Sequence, residues 1–397
     1  MADIETIPPA RAVLFTAFEP SGDDHAAAVI AELRRRESSL PIYAWGGPKM
    51  ERAGAALVGR TGGNAVMGLP GPRKIAEHLA IKRDIRRWLD ERLAAVHVPV
   101  DSPAANFPVC ALTRRAGMRI IHLVAPQMWA WGEWRTRKLR RLTDKVLCLL
   151  PFEEDWFQQR GIAARFIGHP LFDEPLDLAD LDRRAARIDQ GGAIGAPRVA
   201  LMPGSRPGEL RSSWPRLLDA FKRLSRDFPS ATGVVAATTS DVAASLRERA
   251  RTLGDGAWPD RLSVVAGDTD AVIRWCDYAL VVSGTVTLQI ARQHKPMATF
   301  YCPNRLMFET LGRALVSTRF YTLPNLIAER AVVPELIPYY RADGEDLALE
   351  VIKFMRRTNY ADDQRRELAQ MCKRFEGRNA AVAAAEEVLD ALGTAPV

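Results

Sequence analysis

The sequence predicts an α/β protein built from two doubly wound, Rossmann-like domains that face a cleft, with further helices at the C-terminal end. Short apolar runs typical of buried strands alternate with amphipathic helical segments along most of the chain, which favours parallel sheets with right-handed crossovers. This alternation stops near residue 175 and resumes near residue 198. The length of 397 residues also exceeds that of one ordinary domain.

The first domain is expected over residues 11–175. A helix is predicted over 24–36, with Ala, Ile and Leu on one face. A second is predicted over 75–93, where Ile and Trp line one side and Lys and Arg the others. The apolar runs that predict strands are 13–17, 42–45, 96–100, 120–124 and 145–149.

Residues 176–197 are charged and then rich in Gly and Ala, and their weak apolar pattern predicts a linker. The alternation over 198–344 predicts a second domain, and 345–397 are expected to be helices that pack back on the fold. Together these segments describe the GT-B architecture, in which ligands bind beyond the C-terminal ends of the strands. The second domain's strands are predicted at 199–202, 233–237, 262–265, 279–282 and 297–300, and its helices at 214–228, 242–253 and from 285.

The amino-acid composition limits the classes of binding partner and the cellular compartment to be expected. A hydrophobic content of 47% and a charged content of 26% fit a soluble globular protein. The net charge of +7 favours nucleic acid, acidic lipid surfaces or phosphorylated substrates without choosing among them. The five cysteines are scattered, which favours a reducing cytosol over a disulfide framework or zinc site. No signal peptide and no run of about 18 apolar residues is found, so we expect any membrane association to be peripheral.

The stretch from Val199 to Glu209 has the pattern of an anion site. An apolar strand ends at Pro203 and Gly204, and Ser205 can cap a following helix. Helix N-termini attract anions, and Arg206 adds a planar charged fork suited to phosphate. We interpret this turn as the site of a nucleotide diphosphate; the alternative is an ordinary strand-to-helix turn with a solvent-facing Arg.

A second turn of small residues, Ser283-Gly-Thr285, follows another predicted strand and opens a helix. It suits phosphate or ribose, and its alternative role is a plain helix cap. Two such turns in one domain favour a nucleotide site.

Three polar residues in the first domain are candidates for chemistry. Asp101 ends a predicted strand, where a carboxylate facing the cleft could act as a general base; the residue pattern alone favours a helix cap. His122 lies within a strand and His169 follows Gly168. Lone histidines are more often structural, and we predict no metal site because no ligand spacing is present.

Aromatic side chains cluster over 125–134, and Arg and Lys residues follow over 135–141. Such a pattern suits stacking on nucleic acid or contact with an anionic bilayer interface. The alternative is a solvated basic helix with its Trp side chains in the core.

Taken together, the chain from about residue 13 to 338 resembles the lipid A disaccharide synthase family, glycosyltransferases that join two acylated glucosamine units. The order and spacing of its motifs match that family. The motifs are Glu19-Pro-Ser-Gly-Asp23, Gly47-Pro-Lys-Met50, Ala65-Val-Met-Gly68, Asp101-Ser-Pro-Ala-Ala-Asn106, Ala125-Pro-Gln-Met-Trp-Ala-Trp131, Leu150-Pro-Phe-Glu153, Arg165-Phe-Ile-Gly-His169, Pro203-Gly-Ser-Arg206, Ser283-Gly-Thr285 and Leu323-Pro-Asn325.

The resemblance implies an inverting transfer that needs no metal or other cofactor. The donor is UDP-linked 2,3-diacylglucosamine, the acceptor is 2,3-diacylglucosamine 1-phosphate, and the products are a β-1,6-linked disaccharide and UDP. Asp101 matches the general base, and Arg206 matches the diphosphate site that stabilises the leaving group. The other implied donor contacts are Gly204, Ser205, Ser283, Gly284, Thr285, Gln289 and Asn325. The implied acceptor and cleft residues are Glu19, Ser21, Asn106, Met128, Trp129 and Trp131.

The resemblance further implies a cytoplasmic protein on the inner face of the inner membrane, in peripheral contact with an anionic surface. We expect no nucleic-acid partner, and the assembly that we consider is a homodimer.

The chain departs from the family pattern at several positions. Gln289 stands where the family usually has Glu, so a bond to a ribose hydroxyl would lose its charge assistance, roughly 1 kcal/mol or more. Ala104 and Ala105 replace the usual Asp-Phe, and Phe18 and Pro20 replace Gly and Ala. Leu69-Pro-Gly-Pro72 stands where the family has an apolar, membrane-dipping helix.

Three alternatives stay open. The first is a GT-B transferase or epimerase for another UDP-sugar, although epimerases of this fold need further carboxylates and Gln289 argues against one. The second is a non-catalytic nucleotide- or lipid-binding protein, against which the presence of Asp101 and Arg206 argues. The third is nucleic-acid binding, which the charge suggests but no motif supports.

Overall fold

The computed structural model describes residues 11–61, 72–91, 94–190, 195–254, 256–303, 305, 318–357 and 359–393. The chain divides into two compact units. Unit 1 comprises Met1–Asp173 and Gly377–Val397, and unit 2 comprises Glu174–Glu376. Each unit contains one parallel sheet with helices between its strands. The predicted fold class, two doubly wound α/β units with further C-terminal helices, is therefore confirmed.

Unit 1 contains a seven-stranded sheet of order β3-β2-β1-β4-β5-β6-β7, in which neighbouring strands are parallel. The order reverses at β1, so the switch point of the sheet lies between β1 and β4. Its strands are β1 (Val13–Ala17), β2 (Ile42–Gly46), β3 (Ala56–Arg60), β4 (Val96–Val100), β5 (Arg119–Leu123), β6 (Lys145–Cys148) and β7 (Ala164–Phe166). Its helices before residue 173 are α1 (Pro20–Arg36), α2 (Pro48–Arg52), α3 (Pro72–Glu91), α4 (Pro103–Arg115), α5 (Thr136–Leu142) and α6 (Glu153–Gln158).

Burial explains which strands the sequence pattern finds. All residues of β1 and β4 are buried, because helices cover both faces of a parallel sheet and its inner strands become nearly continuous apolar runs. Edge strand β3 is half exposed and β7 has three residues. Neither produces a run that the sequence pattern detects, so both were missed.

Unit 2 contains a six-stranded parallel sheet of order β10-β9-β8-β11-β12-β13. Its switch point lies between β8 and β11. The strands are β8 (Arg198–Met202), β9 (Thr232–Ala237), β10 (Leu262–Ala266), β11 (Tyr278–Val282), β12 (Met297–Phe300) and β13 (Glu335–Leu336). The helices are α7 (Leu178–Gln190), α8 (Pro207–Asp227), α9 (Ser240–Ala250), α10 (Thr269–Trp275), α11 (Val286–Arg292), α12 (Leu323–Ala328), α13 (Glu345–Arg356) and α14 (Tyr360–Cys372).

The segment that we expected to be a linker, 176–197, contains helix α7 and belongs to unit 2. This helix packs on α10, with Leu181 and Ala185 buried and with polar contacts between the two helices. Asp182 pairs with Arg274 at 2.6 Å, and Asp189 accepts a hydrogen bond of 2.8 Å from the indole of Trp275. The apolar face of α7 is narrow and lies among many charged residues, which explains why the sequence pattern was taken for a linker.

The helices after residue 344 divide between the units. Helices α13 and α14 belong to unit 2, whereas α15 (Ala380–Gly393) belongs to unit 1. Helix α15 places Ala384, Ala385 and Val388 in the core of unit 1. Its Glu387 accepts hydrogen bonds from Lys145 at 2.6 Å and Arg165 at 2.9 Å. The end of the chain is therefore an integral part of unit 1.

Candidate functional site

The first candidate site lies at the switch point of unit 1. Strands β1 and β4 are paired so that Ala17 lies opposite Val100. The turn that contains Glu19 follows β1, and Asp101 follows β4 directly. Ligands of doubly wound sheets bind where two such turns diverge beyond the carboxyl ends of the strands. The fold therefore brings the predicted base, Asp101, to the position at which this sheet type forms a binding crevice.

The backbone is strained where β4 ends. Asp101 has φ of +48° and Ser102 has φ of +37°, both in the left-handed region that residues other than glycine rarely occupy. Val124, which follows the neighbouring strand β5, has φ of +64°. Each such residue costs on the order of 1–3 kcal/mol, and such strain clusters at functional sites.

The surroundings of Asp101 suit a proton acceptor. Burial raises the pKa of its carboxyl group, a hydrogen bond from the Ser102 backbone opposes this, and the charge of Glu19 raises it further. A carboxylate with a raised pKa binds a proton more readily at neutral pH. The electrostatics of the turn therefore support general-base chemistry at Asp101.

A second carboxylate lies entirely inside unit 1. Glu153, the first residue of α6, accepts hydrogen bonds from the Trp129 indole at 2.9 Å and from the backbone of Leu149 at 3.1 Å and Leu150 at 3.0 Å. Burial raises its pKa to about 7 although these three bonds oppose the shift, and the charge of Asp101 adds to the rise. Glu153 fixes Trp129 and the end of β6.

The predicted acceptor residues separate into surface and core positions. Glu19 is half-buried, whereas Ser21 is exposed and Trp131 is 49% exposed. Asn106, Met128 and Trp129 are buried instead. Met128 packs in a core cluster with Phe107 and Leu139, and Trp129 packs edge-on against Phe152. The three buried residues therefore belong to the interior of unit 1 and are not exposed at the surface of the site.

Of the two candidate histidines, His122 is fully buried and His169 is half-buried. Burial lowers the pKa of His122 to about 4, which keeps its imidazole neutral near pH 7. Burial also lowers the pKa of His169 to about 4, and its Nδ1 accepts a hydrogen bond from the Leu171 backbone. Both imidazoles are therefore neutral near pH 7, and neither is assigned a role in the chemistry of the site.

The second candidate site lies at the switch point of unit 2. Strands β8 and β11 are paired, with Met202 opposite Val281. The turns that follow them contain the predicted donor residues Gly204 to Arg206 and Ser283 to Thr285. Ser205, Arg206, Gly284 and Thr285 are exposed. The structure therefore places both small-residue turns on adjacent strands, at the same edge of one sheet.

Glu209 interacts with the first of these turns. Its carboxylate accepts hydrogen bonds of 3.3 Å from the backbone of Ser205 and of Arg206, and it pairs with the Arg206 guanidinium at 2.8 Å. Gly204 has φ of +93°, and a Cβ there would lie 2.6 Å from the Glu209 carboxylate. The backbone N–H groups and the Arg fork that we predicted for a phosphate thus hold an internal carboxylate.

This arrangement corrects one expectation about the turn. The N-cap of α8 is Arg206, whose backbone N–H donates to the Glu209 carboxylate, and not Ser205. Ser205 is left at the exposed tip of the turn. The reason is that Pro207 occupies the first position of the helix, where its missing N–H costs nothing, which moves the cap one residue beyond Ser205.

Asn325 has a complete set of partners inside unit 2. Its side-chain oxygen accepts hydrogen bonds from the backbone of Val332 and Val333, and its amide nitrogen donates to Val333 and to Glu335. Glu335 also accepts from the Thr322 hydroxyl at 2.6 Å. Asn325 is 1% exposed and organises the loop before β13. Gln289, another predicted donor residue, lies half-buried on α11.

Sequence reasoning missed several residues of these sites. Glu209 stands at the third position of α8, where a carboxylate often completes a capping box, and this spacing was the signal available. Glu153 ends the family motif Leu150-Pro-Phe-Glu153, and the sequence gives no indication of its role. Thr16 and His97 are also connected to the first site, because His97 is hydrogen-bonded to Thr16 and Thr16 to Asn106. Both lie inside apolar runs, and no local pattern distinguishes them. Within the described ranges, no cluster of His, Cys, Asp and Glu could hold a metal ion, and no helix is suited to crossing a membrane.

The model of the lipid-A-disaccharide synthetase family matches residues 13–388. The chain belongs to this family. A lipid-A-disaccharide synthase from Myxococcus xanthus is 34% identical over 390 residues, which cover 96% of this chain and 97% of that protein. One from Pseudomonas aeruginosa is 34% identical over 327 residues, 82% of this chain and 84% of that protein. Membership assigns the chain to the glycosyltransferases of lipid A biosynthesis.

A solved structure supports the fold assignment at much lower identity. The glycotransferase of kitacinnamycin has a TM-score of 0.59 at 14% identity, with 96% of this chain and all of that chain covered (100%). At this identity the likeness shows the fold alone.

We predict that Glu153 makes the stability of the protein depend on pH. Because folding raises the pKa of its carboxyl group to about 7, the folded state binds a proton more tightly than the unfolded state does. The stabilising contribution of the proton is complete below the unfolded pKa of about 4.3 and is lost as the pH rises towards 7. Glu153→Gln should remove this loss.

The measurement is the free energy of unfolding of both proteins by denaturant between pH 4.5 and pH 8. We expect the difference, wild type minus variant, to fall across this range. Asp155→Asn, on the exposed side of the same helix, is the control and should leave the slope unchanged. Parallel curves for wild type and Glu153→Gln would show that Glu153 does not titrate in this range.

Proposed function

We propose that the chain transfers 2,3-diacylglucosamine from UDP to 2,3-diacylglucosamine 1-phosphate, with inversion and without a metal. The hydroxyl oxygen at C6 of the acceptor sugar forms a bond to C1 of the donor sugar. The bond between C1 and the diphosphate oxygen breaks, the proton leaves to a carboxylate, and UDP departs. The products are a β-1,6-linked disaccharide and UDP. Family membership supports this reaction.

The observation on which the proposal depends most is the position of Asp101. It directly follows β4 at the switch point of unit 1, in a strained turn, and burial raises the pKa of its carboxyl group. A sugar hydroxyl is a poor nucleophile unless its proton leaves as the new bond forms. In the proposed reaction the Asp101 carboxylate takes this proton, and unit 1 binds the acceptor.

The donor diphosphate is assigned to the turn after β8. This turn offers the backbone N–H groups of Ser205 and Arg206 at the start of a helix of 21 residues, together with an Arg side chain that is 60% exposed. Helix N-termini favour anions. When UDP leaves, negative charge grows on its diphosphate, and the Arg206 guanidinium would stabilise it. In the proposal the incoming diphosphate displaces the Glu209 carboxylate from these groups.

We also propose that unit 1 contacts the anionic inner face of the inner membrane. Trp131 and Trp134 are 49% and 72% exposed, and the Arg135 guanidinium lies 3.9 Å from the centre of the Trp131 ring. Exposed aromatic rings beside cations suit the headgroup region of a bilayer. The exposed cations that follow are Arg137, Lys138, Arg140 and Arg141.

The donor assignment predicts opposite effects of two substitutions. Arg206→Ala removes a charge-assisted contact, so UDP affinity should fall about 10- to 100-fold, the equivalent of about 1.5–3 kcal/mol. Glu209→Gln removes the competing anion, so UDP affinity should rise several-fold. Isothermal titration calorimetry with UDP measures both.

Arg211→Ala is the matched control, because Arg211 is an exposed cation on the same helix and has no proposed role. Its UDP affinity should equal that of the wild type. Equal affinity of Arg206→Ala and wild type would remove the donor assignment. Weaker binding by Glu209→Gln would mean that Glu209 shapes the turn and does not compete with the ligand.

The base assignment predicts a loss of rate without a loss of donor binding. Asp101→Asn keeps the shape of the side chain and removes its basicity, so turnover should fall by about 10²–10⁴-fold while UDP affinity stays the same. The measurement is UDP release in the presence of both lipid substrates. Asp84→Asn, the same change at an exposed position of α3, should retain the full rate.

If Asp101 only shapes the turn before α4, whose N-cap is Ser102, asparagine would replace it almost equally well. A rate of Asp101→Asn within about threefold of wild type would therefore contradict the base assignment, and Glu19 would become the next candidate.

The membrane assignment predicts binding to anionic vesicles that weakens with salt, because surface charges are screened within about 10 Å at 0.1 M. Cosedimentation with phosphatidylglycerol vesicles should decrease as NaCl is raised, and neutral vesicles should bind little. Trp134→Ala should reduce binding, whereas Leu349→Ala, an exposed apolar residue of unit 2, should not. Equal binding to neutral and anionic vesicles would contradict this assignment.

A further inference from the structure

A chain of four polar side chains crosses the interior of unit 1 and ends at the Asp101 turn. Its members are Thr113 on α4, His97 on β4, Thr16 on β1 and Asn106 on α4, and none of them has exposed surface. The Thr113 hydroxyl lies 2.9 Å from His97 Nδ1, and His97 Nε2 lies 2.9 Å from the Thr16 hydroxyl. Polar groups are rare among the buried residues of this sheet, so a continuous chain of them requires an explanation.

In each hydrogen bond of this series, the donor and the acceptor follow from the bond that Thr16 makes to Asn106. Thr16 donates its single hydroxyl proton to the Asn106 side-chain oxygen at 2.7 Å, so it must accept the proton on His97 Nε2. His97 Nδ1 is then the acceptor for the Thr113 hydroxyl. Burial and the nearby His122 lower the pKa of His97 to about 3, which keeps the imidazole in this neutral form.

Asn106 connects this chain to the strained turn. Its amide nitrogen donates one proton to the Val100 carbonyl at 2.9 Å and the other to the Asp101 carbonyl at 2.8 Å. These carbonyls lie on successive residues at the point where the backbone enters the left-handed region, with φ of +48° at Asp101. Both protons of the amide are used, and its oxygen is fixed by Thr16.

We propose that Thr16, His97 and Asn106 are positioning residues, which hold the backbone of the Asp101–Ser102 turn in the strained conformation that catalysis requires. Strained backbone persists only where its surroundings determine it, and here two hydrogen bonds from one rigid amide do so. The buried chain prevents that amide from rotating. The inference rests on the proposed role of Asp101 as the base.

The central test is a pair of substitutions at Thr16. Thr16→Val keeps the volume and the β-branched shape that suits strand β1, and it removes both hydrogen bonds of the hydroxyl. Turnover should fall about 10-fold or more, because a displacement of about 1 Å at a reacting group costs up to about 10²-fold. UDP affinity should not change, since the donor site lies in unit 2. Thr16→Ser restores the hydroxyl and should recover most of the rate.

A pH profile separates positioning from general stability. The charge of Glu19, in the turn after β1, raises the pKa of Asp101, and the charge of Asp101 in turn raises the pKa of Glu153 at the start of α6. If the turn relaxes in Thr16→Val, the carboxylate gains water, and the acidic limb of kcat/KM should move to lower pH. Val388→Ala, which removes core volume on α15, is the stability control and should leave this limb in place.

Two results would overturn the inference. One is a Thr16→Val protein with the rate and acidic limb of the wild type. The other is a loss of rate in Thr16→Val and Val388→Ala that follows their loss of stability alone. Should Thr16→Val fail to fold, Thr113→Val removes the hydroxyl at the far end of the hydrogen-bonded series. It should cause a smaller loss of rate. An unchanged rate in Thr113→Val would contradict the proposed positioning role.

The outcomes also distinguish this inference from the proposed function. If Asp101→Asn retains the full rate, the base assignment itself fails, and the inference fails with it. If Asp101→Asn loses its rate while Thr16→Val does not, the base assignment stands and the positioning role is rejected.

Discussion

The direction of the strands in the two sheets determines where chemistry can occur in this molecule. Because every neighbouring pair of strands is parallel, the carboxyl ends of all strands in a sheet lie along one edge. The order of strands reverses between β1 and β4 in unit 1 and between β8 and β11 in unit 2. The turns beyond these four strands contain Glu19, Asp101, Gly204 to Arg206, and Ser283 to Thr285. Residues that are far apart in sequence are thereby placed in pairs, one pair in each unit.

The two sites hold their turns by different means. In unit 1 the turn at Asp101 is strained and is fixed from below by buried side chains, among them Asn106. In unit 2 the turn at Ser205 is held from within by a carboxylate, Glu209, in the place where an anionic ligand is expected. A base must be held in one position for proton transfer. In the proposed donor site, the incoming diphosphate takes the place of the Glu209 carboxylate.

The sequence was sufficient for the elements that burial makes apolar, such as β1 and β4, and for the turns that follow them. It failed where polar contacts hold an element, as in α7, where Asp182 pairs with Arg274. It also failed to separate residues that line a site from those that support it. Asn106, Met128 and Asn325 belong to motifs of the family, but their side chains are buried. A motif identifies the residues that a site needs, whereas only the packing shows which of them are exposed.

The activity to be tested is the formation of a new glycosidic bond between two acylated glucosamine units. The most direct measurement incubates the purified protein with UDP-2,3-diacylglucosamine and 2,3-diacylglucosamine 1-phosphate in the presence of EDTA, and identifies the products by mass spectrometry and NMR. We expect a β-1,6-linked disaccharide 1-phosphate and an equal amount of UDP. Release of UDP without a disaccharide, conversion of the donor into an epimer, or recovery of both substrates unchanged would contradict this expectation.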